Sequence, residues 1–143
     1  MKDKKVVSIG GGTGNSVFLA GLKNFTQNIT AIVTVADDGG GSGVLRSDLG
    51  MLPPGDIRAC LLALSNTQEQ MEKLFRFRFA SGQLKGQSFG NLFLAAMNEI
   101  YGDFGLAVKE ASKVLNITGK VLPVTLDKMD LIAELENGKK FLG

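Results

Sequence analysis

Apolar segments alternate with glycine-rich segments along the first third of the chain. Residues 4–9, with the apolar pair Val6-Val7, predict a short buried strand. Residues 29–36 are nearly all apolar or β-branched, which predicts a second strand, buried on both faces. Between them, residues from Gly14 or Asn15 to about Lys23 carry apolar side chains at intervals that predict a helix. Such a βαβ unit crosses over right-handed into a parallel sheet.

The later pattern predicts more helices than strands. Asp37 to Gly43 contains no side chain large enough to pack and predicts a loop, and Asp56 follows a Pro-Pro-Gly break where it can cap a helix. Helices are expected over 56–64, 68–78, 88–100 and 103–115, and a strand over 121–124. Asn137-Gly138 predicts a hairpin turn after residues 131–136, with a return strand over 139–142.

The length and this pattern suit one α/β domain over residues 1–143. The return strand of the hairpin has barely begun when the chain stops at Gly143. We therefore expect the domain to be incomplete, the N-terminal part of a longer one. An open sheet edge would then favour association, so a homo-oligomer is one expected state.

Composition excludes several function classes. The chain has no histidine and one cysteine, Cys60, so cysteine-rich metal sites, disulfide scaffolds and histidine-activated hydrolases are excluded. The net charge of +2 gives no basic footprint for nucleic acid. The alternating stretch Phe75 to Phe79 is interpreted as the end of an amphipathic segment with phenylalanines in the core. No apolar run is long enough for a membrane span or a secretory signal, which predicts a cytoplasmic protein.

The stretch SIGGGTGNS, residues 8–16, lies between the first predicted strand and helix. Unpaired N–H groups in the first turn of a helix attract phosphate, and glycines allow it to approach the backbone. The candidate contacts are Gly11, Gly12, Thr13, Gly14 and Asn15. The alternative is a tight turn for strand–helix packing. The lysine of a Walker loop and the last glycine of the dinucleotide pattern are both absent.

A second glycine-rich stretch follows the second predicted strand. Asp37, Asp38, Gly39 and Gly40 come where ligands of open α/β sheets bind. Two adjacent carboxylates suit ribose hydroxyls or a Mg²⁺ ion that carries phosphate. The alternative is that one carboxylate caps a turn while the other is solvated.

Two further helix starts carry polar groups. Asp56 and Arg58 open one helix, and Ser88 and Asn91 open another. Arg58 faces the positive end of its helix dipole, and a bound anion would relieve that repulsion. Four loop-to-helix starts of this kind predict one shared cleft for a phosphate-bearing small molecule.

The motifs together resemble a known family. The stretches IGGGTG, VTVADDGG, PGDIR, SFGNL followed by LAAM, and SKVLN are similar to those of the bacterial gluconeogenesis factors. These proteins are related to the 2-phospho-L-lactate transferases of deazaflavin coenzyme synthesis. The resemblance runs from about Lys5 to Val124 and covers less than half of a typical member.

The resemblance implies a Rossmann-like α/β fold, a three-layer parallel sheet with helices on both faces. It also implies a nucleotide sugar such as a UDP-sugar, or a dinucleotide such as NAD, as ligand, and a role in cell shape and envelope building on gluconeogenic carbon sources. Departures are Gln87 where members usually have histidine, Ala59 in place of asparagine, and Asn15 in place of an apolar residue. Thr125 to Met129 also differs from the family pattern.

Three functions stay open at this stage. The first is a ligand-binding regulator of the gluconeogenesis-factor kind. The second is a Mg²⁺-dependent transferase that moves a phospho-lactyl group from a nucleotide-activated donor, with Asp37 and Asp38 on the metal and Arg58 on the phosphate. The third, disfavoured by Asn15 and by the lack of histidine, is an NAD-dependent oxidoreductase.

Overall fold

The computed structural model describes residues 4–37 and 39–142, which form five strands and six helices. The strands are β1 (Val6–Gly10), β2 (Ile29–Val33), β3 (Lys120–Pro123), β4 (Ile132–Glu134) and β5 (Lys140–Leu142). The helices are α1 (Thr13–Leu22), α2 (Gly40–Leu49), α3 (Gly55–Leu64), α4 (Glu69–Arg76), α5 (Phe89–Tyr101) and α6 (Phe104–Val114).

The main sheet is parallel, with strand order β1-β2-β3. Gly10 pairs with Val33 and Val33 with Pro123, so the carboxyl ends of all three strands meet at one edge. The first βαβ unit is formed as the sequence predicts. The glycine-rich segments after β1 and β2 therefore start side by side.

One face of this sheet supplies the hydrophobic core. Ile29, Ala31 and Val33 of β2 and Val121 of β3 are buried and belong to one cluster with Leu19 of α1 and the helices α3, α5 and α6. Phe75, at the end of α4, packs against the rings of Phe89 and Phe93 at centroid distances of 5.9 and 4.9 Å. These contacts hold the starts of α1, α3 and α5 in fixed positions relative to the sheet.

The opposite face is open. Val7 and Ile9 of β1 are 59% and 75% exposed, and Leu122 of β3 is 46% exposed. The sequence predicts β2 buried on both faces, but its residues alternate between buried and half-buried because the described helices cover one face only. The α/β class with a parallel sheet flanked by helices is confirmed. Residues 4–37 and 39–142 do not form a second helical layer on the open face of the sheet.

Most predicted elements are confirmed, including the hairpin, which forms a separate antiparallel pair, β4 and β5. The loop predicted over 37–43 is wrong from Gly40 onward, where α2 begins. Glycine has low helix propensity, but tertiary packing buries Gly41, Ser42 and Leu45 on one side of this helix. None of the helices in the described part of the chain is long and apolar enough to cross a membrane.

The open sheet face generates a prediction about association. We expect the chain to self-associate, because exposed contiguous apolar surface favours burial against another surface. Ile9→Glu should lower the average mass measured by sedimentation at high concentration, whereas Leu84→Glu, an exposed apolar position outside the sheet, should not. A monomer at every concentration, unaffected by Ile9→Glu, would contradict this expectation.

Candidate functional site

The starts of α1, α2, α3 and α5 surround one cleft of about 190 Å³ at the carboxyl edge of the sheet. The cleft is lined by Gly12, Thr13, Asp37, Gly39, Gly40, Gly41, Ser42, Gly55, Asp56, Arg58, Ala59, Arg78 and Asn91. The predicted convergence of the loop-to-helix starts is therefore present in the structure. Carboxyl edges of parallel sheets are the usual position of ligand sites in this fold class.

Three of the four helix starts have no side-chain cap. The N-cap residues Gly12, Gly39 and Pro54 make no capping hydrogen bond through a side chain. Only α5 is capped, since Ser88 Oγ accepts a hydrogen bond from Asn91 N at 3.2 Å. Uncapped first turns leave N–H groups and the positive ends of the helix dipoles available to an anion.

Two glycines at this cleft allow the helix starts to pack closely together. A Cβ atom on Gly12 would lie 2.4 Å from Asp56 Oδ1, and one on Gly55 would lie 2.6 Å from Ser42 Oγ. Larger residues would push α1 away from α3, and α3 away from α2. A Cβ on Gly14, in contrast, would meet nothing within 4 Å. The glycines that draw the helix starts together are thus Gly12 and Gly55.

Two carboxylates lie in the cleft. Asp37 Oδ1 accepts a hydrogen bond from Gly39 N at 3.0 Å, which forms the turn into α2. The predicted cap at Asp56 is not formed; Asp56 lies in the first turn of α3 and accepts from the Gly12 N–H. Burial raises the pKa of Asp56 above its usual value, and the nearby charge of Asp37 raises it further. Both carboxylates therefore place negative charge beside the helix starts.

Two arginines supply the positive side chains of the cleft. Arg58 of α3 is half-buried, and its Nε is buried without a hydrogen-bond partner. Burial lowers the pKa of Arg58, and repulsion from Arg78 and Arg76 lowers it further. Arg78 lies in the segment after α4 and donates a hydrogen bond to the Gly86 carbonyl. A half-buried guanidinium with an unused buried donor and like-charged neighbours is stabilised by binding an anion.

Two buried side-chain amide oxygens, one of which borders the cleft, have no hydrogen-bond partner. Asn91 is 3% exposed, and its Oδ1 has no hydrogen-bond partner. Gln87 is 7% exposed, its Oε1 is also unpartnered, and it lies against Gly41. A buried amide oxygen needs a donor, so Asn91 Oδ1, which borders the cleft, suits a hydroxyl group of a ligand.

The structure places most of the predicted site residues at the cleft. Gly12, Thr13, Asp37, Gly39, Gly40, Asp56, Arg58 and Asn91 line it. Gly11, Gly14, Asn15 and Ser88 are outside its lining, and Asp38 falls outside the described residues.

Asn15 lies beneath the glycine loop rather than in the cleft. Its Oδ1 accepts from Ser8 Oγ, and its Nδ2 lies 3.8 Å from Cys60 Sγ. Cys60 Sγ lies 3.5 Å from the Gly11 carbonyl oxygen, and burial raises the pKa of this thiol to about 12. With Cys60, Asn15 therefore supports the glycine loop, and its contact with a ligand stays a prediction.

Sequence reasoning missed five lining residues, which are Gly41, Ser42, Gly55, Ala59 and Arg78. Arg78 belongs to the stretch interpreted as the end of an amphipathic segment. Of its phenylalanines only Phe75 is buried, while Phe77 is exposed, so the interpretation holds only for the first ring. The alternation of arginine with aromatic residues was the available signal.

The family model described as 2-phospho-L-lactate transferase CofD matches residues 6–143. The chain belongs to this family. Among curated CofD-family relatives, "Gluconeogenesis factor" of Bacillus subtilis is 56% identical over 140 residues, covering 97% of this chain and 44% of that protein. A Thermoanaerobacterium thermosulfurigenes protein, provisionally named a gluconeogenesis factor, is 71% identical over 134 residues, covering 94% of this chain and 42% of that protein.

Solved structures agree with this membership. A crystal structure of a Bacillus halodurans protein is similar with a TM-score of 0.94 and 53% identity, covering 99% of this chain and 46% of that chain. The resemblance to gluconeogenesis factors is confirmed. This CofD-family chain spans less than half of the length of these relatives.

Gly12 and Gly14 give a matched pair of substitutions in one loop. Gly12→Ala should lower the free energy of unfolding by about 1–3 kcal/mol, because the new methyl group displaces Asp56. Gly14→Ala should raise it by about 0.4–1 kcal/mol, since the position is open and helical. Urea unfolding measures both. Equal effects of the two substitutions would show that Gly12 is not a packing constraint.

The raised pKa of Asp56 predicts how stability depends on pH. The folded protein holds the proton of the Asp56 carboxyl group more tightly than the unfolded chain does, so protonation of Asp56 stabilises the folded state. This stabilisation is fully present below the pKa of the unfolded chain, near 3.8, and is lost as pH rises through the folded pKa. The free energy of unfolding of the wild type minus that of Asp56→Asn should therefore fall with rising pH. Urea titrations from about pH 3 to about pH 7 measure it. A difference that increases with pH would mean that Arg58 lowers this pKa more than burial and Asp37 raise it.

Proposed function

We propose that this chain carries the phosphate-binding site of a cytoplasmic gluconeogenesis factor, which binds a nucleotide sugar or a dinucleotide such as NAD. The bound ligand would regulate cell shape and envelope synthesis during growth on gluconeogenic carbon sources. The single observation that carries the proposal is the convergence of three uncapped helix starts with Arg58 and Arg78 on one cleft.

The chemistry of the cleft favours a phosphate attached to a sugar. Helix starts and guanidinium groups suit phosphate oxygens. Asn91 Oδ1, without a partner, suits a hydroxyl donor, and Asp37 offers a second acceptor. At about 190 Å³ the cleft is smaller than usual ligand pockets, which fits a phosphate group and adjoining sugar with the remainder of the ligand outside.

The side chains available for proton transfer favour a regulatory function over catalysis. The chain has no histidine, and Cys60, with a pKa of about 12, stays protonated near neutral pH. Gln87, beside the cleft, hydrogen-bonds but does not exchange protons near neutral pH. Tight binding without turnover is the outcome that these groups favour.

The alternative is a Mg²⁺-dependent transferase of the 2-phospho-L-lactate kind, and one observation favours it. Asp37 is close enough to Asp56 to raise its pKa, and a divalent cation between them would offset that repulsion. No cluster of three or more acidic or cysteine side chains forms in the described part of the chain, so Mg²⁺ would take its other ligands from water and phosphate. Such an ion would stabilise charge on a transferring phosphate group.

Isothermal titration with UDP-glucose and with NAD tests the proposal. We expect binding that weakens about 10- to 100-fold in Arg78→Gln, because a hydrogen bond to a charged group contributes about 1.5–3 kcal/mol. Lys85→Gln, which removes an exposed positive charge from the same loop, should bind like the wild type. If neither UDP-glucose nor NAD binds, the proposal is overturned.

An activity assay on the wild-type protein distinguishes the transferase alternative from the regulatory function. Incubated with a nucleotide-activated phospho-lactyl donor, a deazaflavin acceptor and Mg²⁺, the protein should give no product. Product formation that depends on Mg²⁺ would replace the regulatory function with the transferase.

A further inference from the structure

Three of the four arginines of this chain gather around the first turns of α3. Arg46, the fourth, lies on α2 and pairs with Asp130 at 2.5 Å. Arg58, Arg76 and Arg78 form no ion pair within residues 4–37 and 39–142. Their mutual repulsion lowers the pKa of Arg58, and Asp56 opposes it only in part. Of these three arginines, Arg76 does not line the cleft.

A second cavity lies on the other side of Arg58. This groove, of about 190 Å³, runs between α1 and α3 and has apolar walls of Val17, Ala20, Leu62 and Ala63. Arg58 and Ala59 border both cavities. Arg76 borders only the groove, and Arg78 borders only the cleft. The cleft is thus lined by Arg58 and Arg78, and the groove is lined by Arg58 and Arg76.

We propose that this groove is a second anion-binding subsite, which takes a phosphate or carboxylate joined to a short apolar group between Arg58 and Arg76. The guanidinium groups bind the anion, and the alanine, valine and leucine side chains contact the apolar part. Hydrogen bonds to an ionised group are stronger than hydrogen bonds between neutral groups. The subsite lies beyond the cleft and does not depend on which ligand the cleft binds.

The size of the groove sets the kind of occupant. Pockets for whole drug-sized ligands measure roughly 300–1,000 Å³, so this groove suits one small anionic group. The apolar walls distinguish it from the cleft, whose lining is mostly polar or glycine. An alkylphosphonate should therefore favour the groove more than inorganic phosphate does.

Side-chain NMR of the four arginines tests the subsite directly. Inorganic phosphate is titrated into the ¹⁵N-labelled chain while the Nε–H resonances are followed, with sodium chloride at matched ionic strength as the control. We expect Arg58, Arg76 and Arg78 to shift with phosphate, and Arg46, already paired, to stay in place. Propylphosphonate should shift Arg76 at several-fold lower concentration than phosphate, because its alkyl group is buried against the groove walls.

Variants separate the two subsites. In Arg78→Gln the Arg76 shift should persist, and in Arg76→Gln the Arg78 shift should persist. Lys73→Gln removes an exposed charge from the same helix as Arg76 and should leave both responses intact. An Arg76 resonance that does not shift, that shifts equally with chloride, or whose shift disappears in Arg78→Gln would overturn the second subsite.

Failure of this inference is distinguishable from failure of the cleft. Shifts of Arg58 and Arg78 with Arg76 silent would remove the groove and leave the cleft as an anion site. Shifts of Arg58 and Arg76 with Arg78 silent would support the groove and count against the cleft.

Discussion

Close packing of the starts of α1, α2 and α3 brings their uncapped backbone N–H groups, and with them positive potential, to one cleft. The helices approach this closely because Gly12 and Gly55 have no side chain where Asp56 and Ser42 lie. Helix starts are often capped by Ser, Thr, Asp or Asn side chains. Of the four helix starts at the cleft, the start of α5 alone has a side-chain cap, and the other three are open toward the cleft.

The charges around the cleft are balanced only in part. Asp56 accepts from the Gly12 N–H and partly offsets Arg58, while Asp37 is held by the turn into α2. Arg76 and Arg78 add positive charge without a carboxylate partner in the described part of the chain. Unpaired donors and acceptors therefore lie near one another, Arg58 Nε and Asn91 Oδ1 among them. A ligand with both anionic and hydroxyl groups would satisfy both kinds.

The part of the CofD family that this chain matches contains the whole cleft but leaves one sheet face uncovered. The chain matches less than half of the length of its gluconeogenesis-factor relatives, yet the four helix starts and the parallel strands that position them all lie within it. The open sheet face with Val7, Ile9 and Leu122 is where the fold of these residues leaves apolar surface without cover. The cleft is thus formed within the first βαβ unit and its neighbouring helices, whereas the described residues leave the second sheet face uncovered.

The sequence by itself determined the strands, most helices and the position of the glycine loops, because each depends on local periodicity and on turn residues such as Asn137-Gly138. It also indicated the cleft, since parallel strands bring their carboxyl ends to one edge. Only the tertiary structure decided that Gly40–Leu49 is a helix, because its packing overrides the low propensity of its glycines. Likewise, the inward position of Asn15 and the approach of Arg76 and Arg78 to Arg58 depend on contacts between segments distant in the chain. No local pattern records such contacts.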